Sequence, residues 1–194
     1  MRIERSVNYV TTLGPGRRLC VWVNGCSRGC KGCMSARLQP VDPTVDVNIE
    51  EYFQDFNLQT IDGVTVSGGE PFEQTSELVH LLSHCRARGV QDILVYTGFT
   101  LEELKARHDP DTEQALSMIS VLIDGPYVEE KNDGSGNLKG STNQRVIILD
   151  DSVGDVYRAY AGSERSMQEF ILGNVLLGVG IPPDGYIEQF KNRK

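Results

Sequence analysis

The sequence predicts an α/β fold, an incomplete and open parallel β/α barrel, on three observations. Short apolar runs alternate with amphipathic stretches along most of the chain, and such alternation builds a parallel sheet covered by helices. The apolar runs end in glycine or polar residues, as strand ends that face a ligand do. At 194 residues the chain can supply an open barrel but is short of the ~250 typical of a closed eight-fold one.

The elements read in order as follows. Leu19-Cys20-Val21-Trp22-Val23 is a buried-strand pattern, and residues 48–57 read as a short helix. Gly63-Val64-Thr65-Val66-Ser67 is a second strand and runs into Gly68-Gly69-Glu70-Pro71. A helix follows from about Phe72 to Arg88, with Leu78, Leu81, Leu82 and Cys85 on one face. Cys85 is therefore a core filler, and His80 and His84 fall on the solvated side. Asp92-Ile93-Leu94-Val95-Tyr96 is a strand ending at Thr97-Gly98. Helical stretches at 101–108 and 111–119 are separated by Asp109-Pro110, with Asp111 as the N-cap of the second. Ser120-Val121-Leu122-Ile123-Asp124 is another strand, a polar loop spans 129–140, and Arg145-Val146-Ile147-Ile148-Leu149 continues the parallel sheet. In the tail, Met167 to Gly173 and Val175 to Val179 form a hairpin turning at Gly173-Asn174, and residues 185–191 form a terminal helix.

Length and composition fit one domain over 1–194, with a core of about 8–150 and a C-terminal extension over 151–194. The net charge of −8 argues against nucleic acid, whose phosphates want a basic face. No apolar run approaches the ~18 residues of a membrane helix, so no membrane association is expected. The start lacks the apolar stretch of a signal peptide, and the expected compartment is the cytoplasm, where thiols stay reduced.

Three of the five cysteines carry most of the functional signal. Cys26, Cys30 and Cys33 stand in a Cys-x3-Cys-x2-Cys loop after the first recognised strand. A disulfide framework does not suit three cysteines in eight residues. Structural zinc wants four ligands in two separated pairs, and only Cys20, Cys85 and the histidines remain; His80 and His84, four apart, leave a mixed zinc site open. The spacing favours a 4Fe–4S cluster held by three cysteines, with one iron open to a further ligand. The Gly68-Gly69 pair allows close approach of a ligand to the backbone or a tight turn. Glu70 can accept a hydrogen bond from an ammonium group. Asp124 reads either as a site residue or as the cap of a turn through Gly125-Pro126. Gly134-Ser135-Gly136 follows no strand and reads as loop, and Arg28 and Lys31 read as counter-charges to a cluster.

Together, the three-cysteine loop and the Gly-Gly-Glu turn resemble the radical S-adenosylmethionine superfamily. Gly14-Pro15-Gly16-Arg17-Arg18, Tyr96-Thr97-Gly98-Phe99-Thr100, Asp124-Gly125-Pro126-Tyr127 and Gly140-Ser141-Thr142-Asn143-Gln144-Arg145-Val146 narrow the resemblance to the activating enzymes of anaerobic (class III) ribonucleotide reductases. It spans residues 8 to about 148 and implies a barrel of the radical S-adenosylmethionine type. By that resemblance Cys26, Cys30 and Cys33 ligate three irons, and S-adenosylmethionine chelates the fourth. Gly68, Gly69 and Glu70 hold its methionine end, while Thr97, Asn143 and Arg145 line its pocket. The implied chemistry is reductive cleavage to a 5′-deoxyadenosyl radical, which abstracts hydrogen from a partner protein and leaves a glycyl radical on a reductase. A reduced flavodoxin- or ferredoxin-like protein supplies the electron. Gly32 departs from the aromatic residue frequent in the superfamily but matches the glycine of the activating enzymes, whereas Met34 and Leu13 depart from the pattern of the activating enzymes. The alternatives are a paralogue that modifies another protein, and a non-catalytic binding module in which the cysteines hold a structural metal.

Overall fold

The computed structural model describes residues 1–192. The chain opens with β1 (Ile3–Val10) and β2 (Arg18–Val23), then the cysteine loop and the short α1 (Ile49–Phe53). Next come β3 (Gly63–Gly68), α2 (Thr75–Ala87), β4 (Ile93–Tyr96), α3 (Leu101–Lys105), α4 (Pro110–Met118) and β5 (Val121–Asp124). The last part comprises β6 (Arg145–Ile148), α5 (Gly154–Ala161), the hairpin β7 (Met167–Leu172) and β8 (Val175–Gly180), and α6 (Tyr186–Lys191). The expected hairpin and terminal helix are both present.

One six-stranded sheet runs in the order β1-β2-β3-β4-β5-β6. Its four central strands are parallel, from Arg18 opposite Gly63 to Tyr96 opposite Ile123. The two outer strands are antiparallel, and each departs from the sequence reading. β1 escaped it because Ile3, Val7 and Val10 are buried at uneven spacing, interrupted by register shifts in the pairing with β2. β6 was expected to extend the parallel sheet, but Arg145 pairs with Asp124 and the strand runs back along β5. Parallel pairing needs a crossover, usually a helix. The 125–144 connection holds only a single 3-10 turn at Glu129–Lys131, so the chain returns near the point where it left β5. Proline geometry corrects a smaller reading: α4 starts at Pro110, and Asp109 rather than Asp111 is its N-cap, accepting from the Thr112 N–H at 2.9 Å. Proline fits the first helical position, whose N–H has no intrahelical partner.

Strand alternation divides the core between the two faces of the sheet. Leu19, Val21, Val23, Val64, Val66, Ile93, Val95 and Leu122 face the helical layer and pack with Leu78, Leu81, Leu82 and Cys85 of α2. Cys85 is 1% exposed, as its helical stripe requires. The other face carries Cys20, Leu94, Val121 and Ile123. There α5 contributes Tyr157, packed with Leu94, Val121, Ile123 and Leu138. Val179 of β8 packs against Val7, Val10, Leu13 and Cys20. The C-terminal segment thus covers the sheet face that the helices leave bare.

A buried guanidinium joins these layers. Arg18, fully buried at the start of β2, donates to the Thr65 hydroxyl (2.7 Å), the Val64 carbonyl (2.8 Å), the Pro15 carbonyl (3.1 Å) and Asp92 Oδ2 (2.6 Å). Tyr157 of α5 donates its hydroxyl to Asp92 Oδ1 at 2.8 Å. Removing one partner of such a pair leaves a buried charge without compensation. Asp92→Ala is expected to destabilise the cluster-free protein by about 3–5 kcal/mol, and Tyr157→Phe by about 1 kcal/mol. Urea unfolding followed by circular dichroism measures both; similar small losses for the two variants would contradict this account of the buried pair.

Candidate metal and cofactor site

The cysteine loop is tied at its base to the turn that follows β3. Gly69 N–H donates to the Val23 carbonyl (2.7 Å) and Glu70 N–H to the Gly25 carbonyl (2.8 Å). This approach depends on both glycines. A Cβ on Gly69 would lie 2.2 Å from the Gly25 carbonyl oxygen, and one on Gly68 2.4 Å from the Val23 backbone. Gly68 also has φ of 108°, a region open to glycine. From the other side, Gly25 and Cys26 donate N–H to the carbonyls of Leu38 and Gln39 at 2.8 and 2.9 Å. Buried Asn24 accepts from the Asp42 N–H through Oδ1 (2.7 Å), and its carbonyl accepts from Gln74 Nε2 (3.1 Å). Ser27 is held to Glu73 at the entrance to α2 by its N–H and hydroxyl, at 2.9 and 2.6 Å.

All five cysteines are free thiols, and Cys26, Cys30 and Cys33 are partly exposed while Cys20 and Cys85 are buried. The three loop cysteines line one cleft of about 190 Å³ with Gly68, Gly69, Glu70, Tyr96, Thr97, Gly98 and Gly125. The cleft sits at the carboxyl ends of β2 to β5, where parallel sheets bind ligands. Burial pushes the Cys26 thiol above its ordinary pKa; the Arg28 N–H opposes this, and the nearby Glu70 and Glu73 carboxylates add to it.

Glu70 is 1% exposed. Its Oε1 accepts the Phe72 N–H (3.0 Å) and the Thr97 hydroxyl (2.8 Å), and its Oε2 accepts the Gly98 N–H (2.7 Å). The carboxylate therefore brackets the ends of β3 and β4, and Oε2 keeps a lone pair for one more donor. Burial outweighs these three donors and pushes its pKa up to about 7. Arg28 lies 4.6 Å from the Phe99 ring, against which Arg107 also packs at 4.2 Å.

The other sequence-derived candidates are placed unevenly. Thr97 joins Glu70 in the cleft. Asn143 and Arg145 do not line it, whereas Gln144 between them does. Asn143 donates Nδ2 to the Pro126 carbonyl at 2.7 Å, and its Oδ1 is buried without a partner. Arg145 is engaged by Asp124 and by Glu102, whose Oε2 lies at 2.6 Å. Fully buried Asp124 also accepts the Leu101 N–H at 2.8 Å, so it fastens α3 and β6 to β5 rather than capping its own turn. Lys31 pairs with Glu129 at 3.0 Å. His80 pairs with Glu50 at 2.5 Å, and His84 meets Arg88.

Two cleft residues, Arg165 and Gln144, were not legible as such. Arg165, 9% exposed, donates to the carbonyls of Ser135, Gly136 and Lys139 and to Asn132 Oδ1, between 2.8 and 3.2 Å. It pins the 132–140 loop against the cleft from the C-terminal segment, and no motif marks it. Gln144 stood inside a quoted stretch, and only its contacts single it out: Oε1 accepts the Gly140 N–H at 2.9 Å and Nε2 donates to the Gly125 carbonyl at 3.2 Å.

Among the described residues no three His, Cys, Asp or Glu side chains converge on a single-ion position. A four-iron cluster asks for something else, namely each thiolate on a different iron with one iron left free. Three uncommitted thiols on one loop, facing one cleft beside a carboxylate with spare acceptor capacity, fit that group and a cationic ligand next to it. The class of protein so defined is a single-cluster iron–sulfur domain, and a family model described as a 4Fe-4S single cluster domain matches residues 12–147. More narrowly, the chain belongs to the family of the anaerobic ribonucleoside-triphosphate reductase-activating proteins. It is 33% identical to the one from Escherichia coli K12 over 70% of this chain and 91% of that protein. With the Pasteurella multocida protein it shares 34% identity over 69% and 88%, and with that of enterobacteria phage T4 31% over 72% and 89%.

Gly69→Ala is expected to force the cysteine loop off the β3 turn and to lower the iron retained per chain after anaerobic reconstitution. Gly162→Ala, where a Cβ meets nothing closer than 3.7 Å, serves as the control; equal iron contents would refute the close-approach argument. Glu70 also predicts a pH effect in the cluster-free protein. Its folded pKa is raised, so its contribution to stability is full below the unfolded value of about 4.3 and is lost as pH rises through about 7. Urea titrations between roughly pH 5 and 7.5 should show a steeper fall for wild type than for Glu70→Gln.

Proposed function

We propose that the chain is a radical S-adenosylmethionine enzyme that activates an anaerobic ribonucleoside-triphosphate reductase by taking a hydrogen atom from it. The observation that carries this is the sharing of one cleft by Cys26, Cys30 and Cys33 with the Gly68-Gly69-Glu70 turn. The partner is the one named in the relatives' own names. A reduced 4Fe–4S cluster bound there would supply the one electron needed for reductive cleavage of S-adenosylmethionine, the chemistry by which a hydrogen atom would be taken from the partner.

The chain's own residues bind and orient. Cys26, Cys30 and Cys33 would hold the cluster by three of its irons, leaving one for the cofactor. The Gly68–Gly69 backbone lets the methionine end lie against the strand ends, and Glu70 Oε2 accepts from its ammonium group. Thr97 fixes the rotamer of Glu70 by donating to Oε1. Asn143 and Arg145 act one step back from the ligand, holding Pro126 and the Asp124 carboxylate. The open sheet is read as an incomplete parallel barrel and the chain as a single domain over residues 1–194. A flavodoxin- or ferredoxin-like donor in the cytoplasm would supply the electron. No helix among the described residues is long and apolar enough to cross a membrane.

Cys26→Ala, Cys30→Ala and Cys33→Ala are each expected to abolish reductive cleavage of S-adenosylmethionine, measured as 5′-deoxyadenosine formed under dithionite, while Cys85→Ala retains it. Full cleavage by any one loop variant would sink the cluster assignment. Glu70→Gln keeps the shape of the bracket and removes its charge. A charge-assisted hydrogen bond is worth about 1.5–3 kcal/mol, so this variant should bind S-adenosylmethionine about ten- to a hundredfold more weakly at unchanged iron content. Anaerobic equilibrium dialysis reads the affinity; wild-type binding would reduce the turn to a purely structural role.

A further inference from the structure

A second opening adjoins the cysteine cleft. It lies between the sheet face bearing Trp22 and Tyr96 and the inner strand of the C-terminal hairpin, and is lined by Arg5, Trp22, Met34, Tyr96, Leu177 and Ile181 among others. Met34, Tyr96 and Ile181 line the cysteine cleft as well, so the opening shares a wall with the cleft and forms a side channel next to it. Two polar groups on its walls are unspent: Arg5 Nε and the Tyr96 hydroxyl are buried and have no hydrogen-bond partner. Buried polar groups are ordinarily paired, which points to a ligand carrying an acceptor for the Arg5 N–H and a polar group for the hydroxyl. Burial raises the Tyr96 pKa, so the hydroxyl is neutral and can donate or accept.

The hairpin carries the same wall outward. Ile171, at 80% exposure, and Leu172, Val175 and Leu176 stand in solvent at its tip, an apolar cluster of the kind that marks an interaction surface. Residues 166–181 contain no Lys or Arg and a single acid, Glu169. An anionic lipid surface or a nucleic acid would find no counter-charge there. A polypeptide brings what the channel lacks, main-chain carbonyls and N–H groups between apolar side chains. The hairpin also lies outside the family match, which ends at residue 147.

We propose that this channel seats an extended segment of the protein substrate, with the hairpin as its docking wall and Arg5 and Tyr96 pairing with the segment's main chain. The proposal rests on the reading above that the substrate is a protein, and it names the surface by which that substrate reaches the cleft. The test uses the full, cluster-reconstituted chain with Leu177 replaced by p-benzoylphenylalanine, irradiated anaerobically with the anaerobic ribonucleoside-triphosphate reductase. One discrete reductase segment should be cross-linked. No cross-link, or a cross-link only to a second copy of this chain, overturns the proposal.

In a second measurement, Leu177→Arg should lower the ratio of radical spins on the reductase to 5′-deoxyadenosine formed by about tenfold or more; an unchanged ratio also overturns it. Cleavage of S-adenosylmethionine by the wild-type chain alone, with dithionite and no partner, reads the radical chemistry separately. Its absence would refute the proposed function, while the cross-link would still report on the channel.

Discussion

The site depends on one close approach of backbone to backbone, that of Gly69 to Gly25. Two hydrogen bonds, Gly69 N–H to Val23 and Glu70 N–H to Gly25, fasten the root of the cysteine loop to the end of β3. They form because neither residue 68 nor residue 69 carries a Cβ, which would stand 2.4 and 2.2 Å from backbone atoms of the neighbouring strand end. The loop cysteines thereby face the same cleft as Glu70. Through its carboxylate, Glu70 passes the constraint on to Thr97 and Gly98 at the end of β4. The ends of β2, β3 and β4 are thus held together by hydrogen bonds that converge on Gly69 and Glu70.

The lower part of the sheet is held differently. Arg18 crosses from β2 to β3 and on to Asp92, and Tyr157 binds Asp92 from the far side. A fully buried guanidinium is costly unless every donor is used, and the donors of Arg18 go to carbonyls, a hydroxyl and a carboxylate. The C-terminal segment is therefore part of the core. It supplies Tyr157 and Val179 to the apolar clusters on the face opposite the helices. It also supplies Arg165 to the wall of the cleft.

This division suits a site that must exclude solvent while admitting a large partner. The strand ends present groups fixed by backbone hydrogen bonds, which preorganises the ligand positions. The helical layer seals one side. The opposite face of the sheet is covered beside β1 by the hairpin, through Val179 packed against Val7, Val10 and Cys20.

Local pattern was sufficient for much of this. The apolar stripe of α2, the four parallel strands, the turn at Gly173-Asn174 and the cysteine spacing are written within a few residues, because helix and strand periods and turn conformations are properties of neighbours in the chain. The burial of Cys85 followed from the same stripe. What the sequence by itself determined was the chemistry: three thiols, a glycine pair and a carboxylate at strand ends. Only the tertiary structure decided how those groups are held. The direction of β6, the strand at β1, the burial of Arg18, the role of Asp124 as a fastener of α3 and β6, and the arrival of Arg165 at the cleft all depend on contacts between residues far apart in the chain. Such contacts leave no periodicity to read, since a buried polar group reveals its partner only when the fold brings the two together.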